Sequence, residues 1–232
     1  MIDVLAIGAH PDDVEFGVGG ILARLAQQGK KVKIVDLTRG EIGTRGTPEI
    51  RKAEAEASAR VLGVEDREIL DLGDGQLQAN LESRRAVIEI IRKHRPTIVI
   101  APHVEDLHPD HASAGRIVSE AFYPSGFANY PAGGEAYRPR GVLFYQAHLR
   151  FDPSFVVDTS ETFDKKMEAI RCYASQLHKE QDDEPQTGIS HPEFLGRIEA
   201  RDRYYGSLVG SKYGEPLRSL RLLRTDSPLD FF

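Results

Sequence analysis

Two rhythms of apolar residues alternate along the first half of the chain. Short runs rich in Val, Ile and Leu predict buried strands at 4–7, 31–37, 68–72 and 97–101. Between them, apolar positions three to four apart predict helices at 16–28, 49–62, 81–94 and 109–122. Gly29 and Gly63 close the first two helices, and Pro96 stops the third. Thr97-Ile98-Val99-Ile100-Ala101 is apolar almost throughout, the pattern of a strand covered on both faces. This alternation predicts an α/β fold: a Rossmann-like, doubly wound, mostly parallel sheet with helices on both faces.

Beyond residue 122 the rhythm weakens. Residues 123–140 read as a Gly/Pro/Tyr-rich loop, long enough to predict a role of its own, such as a lid. Further strands are expected at 142–147 and 155–157. A helix is expected at 159–173, begun by Thr159 or Ser160, and another at 192–209. Residues 181–190 read as a polar surface loop and the tail from 214 as irregular. No repeat, low-complexity stretch or linker interrupts the chain, so one domain over 1–232 is expected.

Composition narrows the function classes. A chain of 232 residues buries roughly 70–75% of its unfolded surface. Its 40% hydrophobic and 28% charged residues are those of an ordinary globular protein. A net charge of −6 argues against general nucleic-acid binding, and Lys30-Lys31 and Arg92-Lys93 read as solvated helix ends. The single cysteine, Cys172, excludes an intrachain disulfide and reads as core packing, which fits a reducing compartment. The start of the chain has no basic segment before its apolar run, and no stretch approaches the ~18 apolar residues of a membrane span. A cytoplasmic protein with no membrane partner is therefore expected.

The candidate chemistry sits where predicted strands end. Gly8-Ala9-His10-Pro11-Asp12-Asp13 follows the first strand, and His103 to His111 follows the fourth. With strand order 3-2-1-4-5, the first and fourth strands are neighbours whose helices take opposite faces, so both loops open into one crevice. His10, Asp13 and His111 supply two nitrogens and an oxygen, with a fourth position left open. That set describes a catalytic zinc, although iron(II) or another divalent ion suits the same donors. Asp12 is then a spare carboxylate for proton transfer, His108 faces the same side as His111, and Asp110 could orient His108. A metal there would acidify water, and His108 would stabilise an oxyanion, which together suit hydrolysis of an amide or ester. Blander readings stand beside these: His-Pro-Asp-Asp as a helix cap, and His103 or His108 as side chains that satisfy backbone groups. A dinucleotide site fits poorly, because the first turn lacks Gly-x-Gly-x-x-Gly and places carboxylates where a pyrophosphate would lie. A non-enzymatic zinc module would have no use for Asp12.

Ala9-His10-Pro11-Asp12-Asp13-Val14-Glu15 with Gly19-Gly20, together with His108-Pro109-Asp110-His111, strongly resembles the PIG-L/LmbE-like zinc deacetylases. Thr38-Arg39-Gly40-Glu41, Thr44-Arg45-Gly46-Thr47-Pro48-Glu49-Ile50-Arg51 and Ile198-Glu199-Ala200-Arg201-Asp202-Arg203-Tyr204-Tyr205-Gly206 resemble its bacillithiol-pathway branch. The resemblance implies hydrolysis of N-acetylglucosaminyl malate to glucosaminyl malate and acetate. It implies His10, Asp13 and His111 as zinc ligands, Asp12 as general base, His108 as the oxyanion-stabilising histidine with Asp110 behind it, and Arg51 and Arg140 in substrate binding. Arginine forks suit the two carboxylates of malate. Another glucosamine derivative, such as N,N′-diacetylchitobiose or a thiol conjugate, is the alternative substrate. Members of the family often form homo-oligomers, commonly hexamers.

Overall fold

A computed structural model describes residues 1–64, 66–180, 183–227 and 229. Seven strands join one sheet in the order β3-β2-β1-β4-β5-β7-β6. The first half follows the predicted alternation: β1 (Val4–Gly8), α1 (Asp13–Gln27), β2 (Val32–Asp36), α2 (Pro48–Leu62), β3 (Asp66–Ile69), α3 (Leu81–His94), β4 (Ile98–Pro102) and α4 (Pro109–Phe122). β1 lies between β2 and β4, parallel to both, with Val4 facing Val32 and Ile98. Apolar clusters pack on each face of the sheet, one around Leu5, Ile7, Ile88 and Val118, the other around Ala6, Leu22, Ile34 and Tyr145. The expected α/β, Rossmann-like, mostly parallel architecture is the one found.

Local chemistry explains the well-placed ends. Thr47 caps α2 by accepting from Ile50 N–H, Pro48 fills the first turn, and Gly63 ends the helix in the left-handed region at φ 80°. Asn80 and Ser83 form a reciprocal capping box on α3. β3 begins two residues before the predicted 68, because Asp66 pairs with Lys33 in both register and charge.

The second half departs more. β5 (Gly141–Tyr145) continues the parallel sheet beside β4, and β6 (Phe155–Asp158), α5 (Phe163–Arg171) and α6 (Phe194–Leu208) follow. Both helices are shorter than predicted, and α5 starts after Thr162 rather than at Thr159 or Ser160. Gln181 and Asp182 of the predicted surface loop lie outside the described residues. The supposedly irregular tail contains β7 (Gly214–Ser219), inserted antiparallel between β5 and β6. Its sequence, Gly-Glu-Pro-Leu-Arg-Ser, carries no alternation, and a proline inside a run argues against a strand. It holds its place through burial: Glu215 meets Lys166, itself paired with Asp202, all three fully buried.

The 123–140 loop is not a lid. It joins the end of α4 to the start of β5, at the amino ends of the parallel strands, opposite the candidate site. Arg92, expected on the surface, is buried and donates to the carbonyls of Ser125, Phe127, Ala132 and Gly134 in that loop. Cys172 is only partly buried, its thiol on the Glu168 carbonyl.

Candidate metal centre and active site

The site lies beyond the carboxyl ends of β1 and β4, where the strand order reverses. Between β1 and α1 the chain must turn sharply, and Asp12 does so with φ 120° and ψ −28°. Such a backbone costs on the order of 1–3 kcal/mol in a residue with a side chain and is common where function demands it. The cap reading fails here, because the Asp12 side chain makes no cap hydrogen bond. Its carboxylate instead accepts from Arg51 Nη2 at 2.9 Å. Asp13 Oδ2 accepts from the backbone N–H groups of Ala9 and His10, both at 2.9 Å, which aims its carboxylate back over the turn.

The predicted ligands converge. His111 Nε2 is 3.0 Å from Asp13 Oδ1, and His10 Nδ1 is 3.5 Å from Asp13 Oδ2. All three side chains are buried. His108 joins them, its ring 4.6 Å from that of His111 and 4.9 Å from that of His10. His10, His108 and His111 each bring a nitrogen close enough to share one ion.

Surrounding carboxylates fix these imidazoles. His10 Nε2 meets Asp74 Oδ1 at 3.0 Å and Asp110 Oδ2 at 3.2 Å. His111 Nδ1 meets Asp106 Oδ1 at 3.2 Å, and the same oxygen meets His148 Nδ1 at 2.8 Å. A carboxylate behind His10 and another behind His111 is the arrangement that orients metal ligands and raises their basicity. Two imidazoles and one carboxylate, with no thiolate, suit a catalytic divalent ion, so the donor set fits the metal that the sequence implied.

Asp74, Asp106 and His148 were not foreseen. Asp106-Leu107-His108-Pro109-Asp110-His111 placed Asp106 near the site, but nothing in its spacing distinguished it from Glu105. Asp74 comes from the loop after β3, and His148 from the loop after β5. Asp110 differs from its expected role: its carboxylate holds His10 and Gly75 N–H, while its backbone N–H donates to His108 Nδ1. His103 is buried against Phe144 and Phe151, with its Nδ1 on the Glu105 backbone, the backbone-satisfying role considered for it.

Electrostatics separates the roles. Burial lowers the His108 pKa, and the neighbouring His111 and His10 lower it further, which favours the neutral ring. With Nδ1 accepting, the proton of neutral His108 sits on Nε2, leaving an N–H to donate. Burial alone would depress His10, yet bonds to Asp110, Asp13 and Asp74 raise it well above its ordinary value. His111 likewise opposes burial and rises to about 10 through Asp13 and Asp106. Burial pushes Asp12 up to about 7, with Arg51 pulling it down and Asp13 pushing it up. A carboxyl poised near neutrality can take and return a proton.

The two arginines part company. Arg51 is buried, held by Asp12 and the Pro11 carbonyl, so it touches the proposed base. Arg140 is not brought to the site. It precedes β5 at the amino ends of the strands, its N–H on the Thr97 carbonyl, a strand length from the cluster.

The profile of PIG-L (GlcNAc-PI de-N-acetylase) matches residues 5–122, which span both ligand loops. The chain belongs to the PIG-L family. The family's de-N-acetylase description and the named deacetylases among its relatives together make it a metal-dependent deacetylase, a hydrolase of an amide bond. It is 34% identical over 230 residues to the diacetylchitobiose deacetylase of Thermococcus kodakarensis, covering 93% of this chain and 82% of that one. It is 30% identical to a probable N-acetyl-α-D-glucosaminyl L-malate deacetylase 2 of Bacillus anthracis, over 75% of this chain and 81% of the other. The crystal structure of a conserved protein from Thermus thermophilus superposes with a TM-score of 0.88 at 36% identity, covering 97% of this chain and 98% of the other. Among the described residues no helix is long and apolar enough to cross a membrane.

Proposed function

We propose that this PIG-L protein removes the acetyl group from an N-acetylglucosamine conjugate, with N-acetylglucosaminyl malate as the preferred substrate and zinc as the metal. The observation that carries hydrolysis is the placement of Asp12 and His108 around the His10–Asp13–His111 donors. When bound, zinc supplies an acidified water and a polarised amide carbonyl. Asp12 takes the proton of the attacking water and returns it to the departing sugar nitrogen, as a carboxyl with a pKa of about 7 can do in both directions. His108 donates from Nε2 to the carbonyl oxygen as negative charge develops there. Arg51 holds Asp12 in place and favours its charged form. Asp74, Asp106 and Asp110 keep the histidines oriented.

The malate preference is supported by the branch-like stretches at 38–51 and 198–206 and by similarity to the Bacillus anthracis protein. N,N′-diacetylchitobiose is the second reading, favoured by the greater identity to the Thermococcus enzyme over more of the chain. Acetate release from the two compounds, measured with the zinc-loaded protein, separates them. A higher kcat/KM on the malate conjugate is expected, and a clear preference for the disaccharide overturns it. The same reading includes a cytoplasmic homo-oligomer, a hexamer, with no nucleic-acid or membrane partner. Light scattering would show about six times the 25.8 kDa chain mass.

A further inference from the structure

Neither arginine first matched to the malate carboxylates presents a free fork at the site, since Arg51 turns inward on Asp12 and Arg140 lies at the other end of the sheet. We propose that Arg150 selects glucosamine conjugates whose aglycone carries a carboxylate, a specificity that rests on the N-deacetylase function proposed above. The loop that carries it starts at the metal centre. His148 is pinned there, its backbone N–H and its Nδ1 each 2.8 Å from Asp106, and its ring stacked 5.1 Å from that of the ligand His111. Two residues further on, at most about 7 Å of extended chain, comes Arg150.

Arg150 is exposed, and its guanidinium carbon lies 4.5 Å from the centroid of the Tyr204 ring on α6. Tyr205 and Tyr204 also hydrogen-bond the Arg150 side chain and so fix the guanidinium in place, and its five N–H donors exceed what two tyrosine hydroxyls can use, leaving donors for a carboxylate. Among the described residues no carboxylate forms an ion pair with Arg150, whereas Arg39, also at the carboxyl ends of the strands, is already paired with Asp71 at 3.2 Å. The rest of the metal centre is lined by Asp74, Asp106 and Asp110, which repel an anionic aglycone. Arg150 therefore provides the counter-charge on the β5 side of the site. In a 2-acetamido sugar the acetamide and the glycosidic oxygen stand on adjacent ring carbons. An aglycone that leaves the metal centre towards the β5 loop therefore meets Arg150.

A matched pair of model glycosides isolates this interaction from the identity of the natural substrate: 4-carboxyphenyl and phenyl N-acetylglucosaminide, assayed by acetate release. The unaltered protein should prefer the carboxylated member about tenfold or more in kcat/KM, mostly through KM. R150M should remove that preference while leaving the phenyl glycoside within about twofold, and R150K should restore part of it, because lysine keeps the charge without the fork. Equal losses on both glycosides, or no preference in the unaltered protein, overturn the assignment. Loss of the malate conjugate as substrate with the carboxylate preference intact overturns the malate reading alone. Inactivity on every N-acetyl sugar overturns the parent function.

Discussion

At the residue scale, two aspartates near the same ion should fail in opposite ways. Asp12 holds no ligand, so Asp12→Asn should keep the metal while turnover falls by about 10²–10⁴, the usual worth of acid–base catalysis. Asp106 supports His111 and the backbone of His108 and His148, so Asp106→Asn should weaken metal binding by about 10–100-fold. Metal content after dialysis against a chelator, read beside acetate release, distinguishes the two. Undiminished turnover in Asp12→Asn, or full metal retention in Asp106→Asn, would refute the corresponding role. A proton-transfer role for Asp12 could be proposed from the sequence, because it is a spare acid beside two candidate ligands. The Asp106 role could not, since it depends on His111 and His148 sharing one oxygen, and they arrive from different loops.

At the element scale, α1 depends on a strand that has no sequence signature. The helix breaks at Val18, and Glu215 from β7 accepts from the N–H groups of Gly20 and Ile21, acting as a cap for the second segment. The glycines allow this approach: a Cβ on Gly17 would lie 2.2 Å from the Tyr145 ring, and one on Gly20 would lie 2.9 Å from Thr159. Lys166 balances Glu215 and Asp202, each at 2.6 Å with no exposure. Lys166→Met would leave the buried Glu215 without its cation and Asp202 with Arg201 alone. A loss of about 3–5 kcal/mol is expected, measured by denaturant unfolding. A loss below about 1 kcal/mol would mean that water reaches the cluster. Burial of charge cannot be read from a hydrophobic pattern, which is why 214–219 looked irregular while 98–102 was evident.

For the whole molecule, metal and fold should be linked through pH. In the metal-free chain the folded pKa of His111 is raised to about 10 and that of His10 also lies above its ordinary 6.5. Their protonated forms therefore contribute stability that is fully present below about pH 6.5 and is lost as pH rises through the folded values. Metal binding requires neutral imidazoles, so its contribution grows over the same interval. The difference in Tm between zinc-loaded and metal-free protein should widen from about pH 6.5 to about pH 9, measured by calorimetry. A difference that narrows would contradict the assignment of these histidines as ligands. The sequence alone determined the alternation of strands and helices, the crevice between β1 and β4, and the loops that deliver His10, Asp13 and His111. Those are local properties: periodicity, caps, and residues a few positions apart at strand ends. Only the tertiary structure decided which carboxylate serves which histidine, that Arg51 turns towards Asp12, that Arg140 and the 123–140 loop lie at the far end, and that β7 enters the sheet. Each of these depends on strand direction or on pairing between segments far apart in the chain, where no repeat in the sequence records the partner.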